Sequence, residues 1–483
     1  MSKKILAIAL ALLALTAFGS LSAAPKPVEI SWYFIGNGPQ GDVDKVQDAA
    51  SQYIQSKGLN ATIKLVCFDW GTYDQKLQEM IASGENFDIC FTASWTNNYR
   101  NNATRGAFLP INDLAAKYAP KTLAQLGKDF FAGSAIDGKN YAIPANKEKA
   151  HNWGFIVRKD LVDKYKFDIG KVKTLGDLEP MLQKIKDGEV GMYPLEAIEG
   201  ESPRFLLDWD KIVDDDLPVS LYPDNRSTKI MNELEAPETL ALYRTMHKFY
   251  DEGFIRKDAA SVTDYNADEK AGLIFAAAKS LKPGKDAEMT NSTGHPWVQI
   301  EITPPVMSNR ETTGSLQAIS RTSQHPELAM QFLELFNTDP YLNNLINYGL
   351  EGTHYVKLSE NVIKAGPGVD KYNPGTQWMF GNQFINYLYN NEDPHKWAKF
   401  LAYNKAALPQ KDLGFSFDPS SVKTEVAAVK SVWKEYIPSL ETGTVDPDSV
   451  VPEALAKFKA AGVDAIIAEA QKQYDAWIKA NGK

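Results

Sequence analysis

Residues 28–44 read VEISWYFIGNGPQGDVD, and they set the architecture of everything around them. The run VEISWYFI is β-branched and aromatic, the composition of a strand. Gly36, Gly38 and Gly41 then open the chain into a turn. Asp42 can cap a helix that carries Val43, Val46, Ala50, Tyr53 and Ile54 on one stripe. Outward from there the alternation repeats. ATIKLVCF (61–68) is a second strand, TYDQKLQEMIASG (72–84) a helix closed by Gly84, and FDICFTA (87–93) a third strand. This β-α-β-α-β rhythm predicts an α/β fold built on a parallel, doubly wound sheet.

The three glycines also spell G-x-G-x-x-G, the spacing of a dinucleotide-binding turn. Asp69 ends the next strand, where a ribose-binding acid could sit. Against a cofactor, Pro39 removes an amide donor from the turn. Asp42 and Asp44 place two negative charges where a pyrophosphate would lie. The remaining reading is a glycine-rich turn lining a cleft beyond the carboxyl ends of the strands.

The chain has 483 residues, enough for two or three lobes. Lys3 and Lys4, the apolar run ILAIALALLALTAF and the small residues SLSAA read as a signal peptide over 1–24, cut near Ala24. No Cys lies near that cut to carry a lipid, so a free periplasmic protein is expected. No later run reaches about 18 apolar residues, so no direct membrane insertion is expected. Without the signal the net charge is 50 − 61 = −11, counting Lys3 and Lys4 as removed. An acidic chain with scattered lysines offers no footprint for nucleic acid. Cys67 and Cys90 fall on the second and third strands. Flanking the first strand, they would be roughly 9–10 Å apart, beyond the roughly 7 Å reach of a disulfide. Two buried free thiols are expected.

Further along, AIDGKNYAIPAN (135–146) reads as a hairpin and a strand, and GFIVRKDLVDKY (154–165) as a strand entering a helix. WVQIEITPPV (297–306) and GSLQAIS (314–320) are strands, and HPELAMQFLELFN (325–337) is a helix. From about residue 412 the chain is helical. Catalytic and metal motifs are missing: no H-E-x-x-H, no Cys/His cluster, no G-x-S-x-G and no phosphate loop. The six histidines are scattered, and Asp214, Asp215 and Asp216 lack an EF-hand spacing. Catalytic residues, cofactors and metals are all expected to be none.

Loop aromatics carry the positive signal. Ten Trp and 21 Tyr include several set among Asn, Glu and Gly, as in SWTNNYRNN (94–102). Flat rings cover the C–H faces of a sugar, while amides and carboxylates pair with its hydroxyls. Each such ring could equally be a core residue whose polar edge finds a partner.

The segments WYFIGNGPQGD, DWGTYDQKLQEMIASGENFDICFTASW, GAFLPINDL, YAIPANKE and FIVRKDL resemble the extracellular solute-binding proteins, family 1, of ABC importers, the maltose-binding-protein-like family. INYGLEGTHYVK (346–357) resembles a segment common there. The tail from GFSFDP (414–419) onward resembles the C-terminal domain of the LipO-like branch. The resemblance implies a two-lobed periplasmic binding protein fold (type II) with three hinge crossings and a helical C-terminal extension. It places the crossings near 145–148, 300–304 and 319–323. The N-lobe would be 25–146 with 302–320, the C-lobe 147–301 with 321–411, and the helical domain 412–483. A small-molecule sugar, held by closure of the lobes, and the membrane permease subunits of an ABC transporter would be the partners of a monomer.

The expected ligand residues are Asn37, Gln40, Trp70, Trp95 and Asn98 from the N-lobe, and Asn146 and Glu148 from the crossing. Trp153, Trp209, Glu351, Tyr355 and Trp378 come from the C-lobe, with Trp297 near the second crossing. Two alternatives stay open. A peptide or other polar solute could use Lys147 and Glu148 as a charge pair. A secreted glycosidase would need two carboxylates about 5 or 6.5–9.5 Å apart, for which Glu148 and Glu351 are the nominees.

Overall fold

The structure is a computed structural model that describes residues 26–136, 138–198, 200–262 and 265–481. The expected signal peptide lies outside the described residues. The two main sheets use nine strands: β1 (Val28–Gly36), β2 (Ala61–Asp69), β3 (Ile89–Thr92), β4 (Ala142–Pro144), β5 (Asn152–Arg158), β6 (Tyr193–Leu195), β7 (Ile274–Leu281), β8 (Trp297–Glu301) and β9 (Leu316–Ile319).

The first sheet runs β2-β1-β3-β9-β4. Strands β1, β2 and β3 are parallel, as the strand-helix alternation requires. The sheet is nonetheless mixed, because β9 enters between β3 and β4 and runs antiparallel to both. The register sets Phe34 beside Cys67 and Tyr33 beside Cys90, so the thiols flank β1 on opposite sides. Both are free and buried, and burial pushes each thiol up to about 12. A thiol reagent should therefore find nothing to modify in the native protein. It should find both thiols in the denatured, unreduced chain; a loss of free thiol there would reveal a bridge.

The second sheet, β8-β5-β7-β6, is also mixed, with β5 antiparallel to both neighbours. Phe155, Val157, Leu182, Ile185 and Phe275 fill its core. The tail forms three helices, Lys423–Glu441, Pro447–Ala460 and Val463–Asn481. They bury Val429, Trp433, Ile437, Phe458 and Tyr474 against Leu217, Val219, Leu221 and Tyr243 of this second body.

The lobe boundaries need correction. Helices Pro326–Thr338 and Pro340–Tyr348 lie in the core of the first body, as do Tyr372, Met379 and Phe380, whereas the resemblance puts 321–411 in the C-lobe. Trp32 of β1 explains the difference: its ring meets Phe332 at 5.7 Å, Phe336 at 5.1 Å and Phe380 at 4.5 Å. A helix with an apolar stripe must cover some sheet, and the first sheet had a bare aromatic face to offer.

Residues 319–323 are not a crossing either. Ser320 N–H donates to Asp88 O (2.9 Å) and Arg321 N–H to Ala107 O (2.9 Å), both in the first body. The segments that meet between the bodies are others. His151 and Val306 exchange two backbone bonds of 3.0 and 2.8 Å. Leu408 N–H then donates to Pro305 O (3.0 Å) and Gln410 N–H to Met307 O (2.9 Å). Residues 302–307 are thus the middle of three crossing strands, and the last return is made near 408–410.

Candidate functional site

The glycine turn has a definite job. A Cβ on Gly36 would fall 2.4 Å from Pro374 O and 2.9 Å from Cys67 Sγ, so only glycine admits that carbonyl. Gly38 has φ +80°, in the left-handed region. Asn37 N–H donates to Pro374 O at 3.0 Å and Asp42 N–H to Lys371 O at 3.0 Å. Asn37 Nδ2 donates to Asn373 O. Gln40 spends its Nε2 on Gly38 O and its Oε1 on Asn373 N–H. The loop therefore clasps residues 371–374 of its own chain where a pyrophosphate would have lain. Asn37 and Gln40 were expected to face a ligand; their amides bond protein instead, because a strand end must satisfy its neighbours' backbone groups.

That clasped segment delivers Trp378 to the first body, where it meets two other predicted residues. Trp70, Trp95 and Trp378 form one cluster, with ring centroids 6.0–6.2 Å apart and planes within 14–35° of parallel. Trp70 is 51% exposed and Trp95 42%. Each is held from behind. Asp69 accepts from Gly71 N–H (3.0 Å), Thr72 N–H (3.1 Å) and Thr72 Oγ1 (2.7 Å), which fixes the turn carrying Trp70. The Thr72 hydroxyl, together with these amides, holds the Asp69 carboxyl below its ordinary range. Trp95 Nε1 donates to Gly314 O at 2.9 Å. One exposed indole anchored at its edge and one carried on a fixed turn form a platform, and exposed apolar surface of this kind marks contact with something else.

Beside the platform runs a polar strip on the first crossing. Lys147 Nζ sits 5.4 Å above the Trp378 ring and 3.1 Å from Glu148 Oε1. Lys282, just past β7 of the second body, reaches the same oxygen at 3.4 Å. Burial raises the Glu148 carboxyl, but Lys147 and Lys282 outweigh it and hold the group below its usual range. Glu148 Oε2 is buried and has no side-chain hydrogen-bond partner among the described residues, so it is an acceptor still open to a ligand. Asn146 is buried and donates to Asn382 Oδ1 at 3.1 Å. The Glu148 carboxylate is shared by Lys147 and Lys282, so Lys147 and Glu148 do not stand apart as two opposed charges for the ends of a peptide.

The model of the family described as "Bacterial extracellular solute-binding protein" matches residues 49–367. The chain belongs to the bacterial extracellular solute-binding proteins. A second model, "Domain of unknown function (DUF3502)", matches residues 411–479, the helical tail. Within this solute-binding family, a carbohydrate ABC transporter substrate-binding protein of Streptococcus pneumoniae is 30% identical over 94% of this chain and 91% of its own length. The crystal structure of the N-glycan transport solute-binding protein NgtS of Streptococcus pneumoniae superposes with a TM-score of 0.86 at 29% identity, covering 94% of this chain and all of that one. NgtS in complex with Man5GlcNAc superposes at 0.80, with 30% identity over 94% of this chain and 99% of that one.

For a solute-binding protein, several of the other predicted residues are misplaced. Trp297 is core: it is 3% exposed and its Nε1 donates to Thr293 Oγ1. Its ring packs in one cluster with Ile156, Ile274, Ala277 and Met289. Tyr355 is buried against Tyr387 at 5.7 Å. Asn98 caps a helix, accepting from Asn101 N–H and donating to Ser94 O. Glu351 is exposed, 3.8 Å from Lys357. Glu148 and Glu351 thus have different neighbours, and Glu148, held below its usual range by Lys147 and Lys282, lacks the raised carboxyl that a glycosidase's acid must have. Trp153 does lie at the crossings: its backbone N–H donates to Thr303 Oγ1, and its ring stacks on Phe205 at 4.6 Å and 18°. Trp209 leans on Tyr222 at 5.1 Å and donates to Thr239 Oγ1.

One polar centre escapes any reading of the sequence. His151, buried on the first crossing, has Glu311 Oε1 at 2.6 Å on Nδ1 and Asp208 Oδ1 at 2.6 Å on Nε2. Burial alone would depress its pKa, but Glu311 and Asp208 together carry it to about 10. The three residues join the first crossing, the segment after the second, and the second body. Nothing in the spacing of 151, 208 and 311 could have announced this, since the partners come from unrelated stretches.

Proposed function

We propose that this chain is the ligand-binding component of a carbohydrate ABC importer, and that its ligand is an oligosaccharide of the mannose-GlcNAc type. The tryptophan cluster at the carboxyl ends of β2 and β3 carries the reading. Its faces suit the C–H faces of pyranose rings, and Glu148 Oε2 and the Lys147 ammonium suit the hydroxyls beside them. The similarity to NgtS supports the choice of sugar. Trp70, Trp95 and Trp378 line the first body's side of the site, Glu148 and Lys147 its floor, and Trp153 the second body's side.

Ligand contact with both bodies favours closure about the three crossing strands. The closed form presents both lobes to membrane permease subunits. The protein acts as a periplasmic monomer, exported by a signal peptide cut near Ala24, and binds without chemistry.

Thermal denaturation with Man5GlcNAc and Man1GlcNAc tests the reading. A glycan present at 100 times its dissociation constant should add about 2.7 kcal/mol of stability and raise the melting temperature. No rise with either glycan, alongside a rise with an unrelated solute such as a peptide, would overturn it.

A further inference from the structure

The helical tail has no assigned role, yet one of its carboxylates reaches the candidate site through a short chain of contacts. Glu441, at the end of helix Lys423–Glu441, is 1% exposed. Its Oε1 accepts from Gly200 N–H at 3.0 Å. Its Oε2 accepts from Ser202 Oγ at 2.9 Å and Arg204 Nε at 3.0 Å. All three donors belong to one loop of the second body. Phe205 follows directly, and its ring stacks on Trp153. The Arg204 guanidinium lies 4.6 Å over Phe205 and 5.2 Å from the ring of Trp433, another residue of the same tail helix. Glu233, at 3.9 Å from Arg204 and 2.5 Å from Lys211, leaves this buried group of two cations and two anions neutral.

Phe205 sits in the short 3-10 turn Pro203–Leu207, and the segment that enters this turn is tied to the tail through such bonds. A carboxylate accepting three hydrogen bonds, one of them from a guanidinium, is a strong tie, since bonds to an ionised acceptor are shorter and stronger than neutral ones. We infer that Glu441 is a positioning residue of the ligand site, an inference that rests on the oligosaccharide reading above. By gripping Gly200, Ser202 and Arg204 it fixes Phe205 against Trp153. The helical tail is then a template for the second body's side of the site rather than a separate module.

The test uses the full chain, with Man5GlcNAc as probe in calorimetric titration. Glu441→Gln should weaken binding by about tenfold in the wild-type background. In a Phe205→Ala background the same change should cost less than about twofold, because the path through Phe205 is already gone. A merely structural role would lower stability in both backgrounds and leave affinity untouched or lower it equally in both; either result overturns the inference. If Glu441→Gln does not fold, Ser202→Ala removes one donor while Arg204 keeps its carboxylate. Its affinity is measured in the same two backgrounds, and an equal loss in both, or no loss in either, again overturns the inference.

Hydrogen exchange without sugar separates this from the functional reading. If the wild type binds neither Man5GlcNAc nor Man1GlcNAc, that reading has failed and exchange decides the rest. Faster exchange over residues 200–207 and at Trp153 in the Glu441→Gln protein supports the positioning role, and unchanged exchange refutes it.

Discussion

Trp95→Ala is expected to weaken oligosaccharide binding at least roughly tenfold, or about 1.4 kcal/mol, with little loss of stability. The indole is 42% exposed and stacks with both Trp70 and Trp378. Removing it deletes one face of the platform and frees the other two rings from a neighbour that fixes their tilt. The stability cost should be about 1 kcal/mol or less, since what the fold loses is a ring contact and the bond to Gly314 O rather than a buried volume. Trp95→Phe, which keeps a flat ring, should recover part of the affinity. Titration calorimetry and a melting curve on the same samples check both halves. Unchanged affinity for a glycan that the wild type binds would remove Trp95, and the platform with it, from the site.

His151→Leu should act the other way, on stability first. Glu311 and Asp208 would be left as buried carboxylates without their shared cation, a loss of about 3–5 kcal/mol. Glu311 keeps Ser308 N–H at 2.7 Å and Ser308 Oγ at 2.9 Å, which sets the expectation toward the lower end. The pH dependence has a definite sign. The folded value of about 10 lies above the ordinary 6.5, so the fold favours the imidazolium. Its contribution is whole below about pH 6.5 and disappears as pH rises towards about 10. Across that window the wild type should lose up to about 4–5 kcal/mol relative to His151→Leu. Urea midpoints at several pH values measure the difference. Parallel profiles for the two proteins would mean that folding does not raise the pKa of the imidazole.

Much of the first body was readable because its signals are local. The strand of residues 28–36, the turn at Gly36 and Gly38, and the stripe of Val46, Ala50 and Ile54 each need only their neighbours. The structure buries that stripe against the sheet. Trp70 and Trp95 were picked out by the same kind of local signal: each follows the end of a strand of a parallel sheet, and the structure leaves both rings exposed there and in contact with each other. Trp297 carried the same local look in GHPWVQIE and went into the core, because Thr293 satisfied its indole N–H. A loop tryptophan reveals its chemistry but not which way it turns.

The amino-acid sequence determined the α/β class, three parallel strands joined by helices, the helical tail and an aromatic, amide-rich chemistry suited to sugars. These follow from periodicity and composition, which act over one or two turns of chain. Only the tertiary structure decided that helices Pro326–Thr338 and Pro340–Tyr348 cover the first sheet. It alone brought Trp378 to Trp70 and Trp95, set His151 between Asp208 and Glu311, and laid Glu441 under the loop before Phe205. An apolar stripe says that a face will be covered, not which sheet will cover it. A carboxylate says that a donor will be found, not from which part of the chain. Those choices rest on how well distant surfaces fit, which no stretch of sequence records by itself.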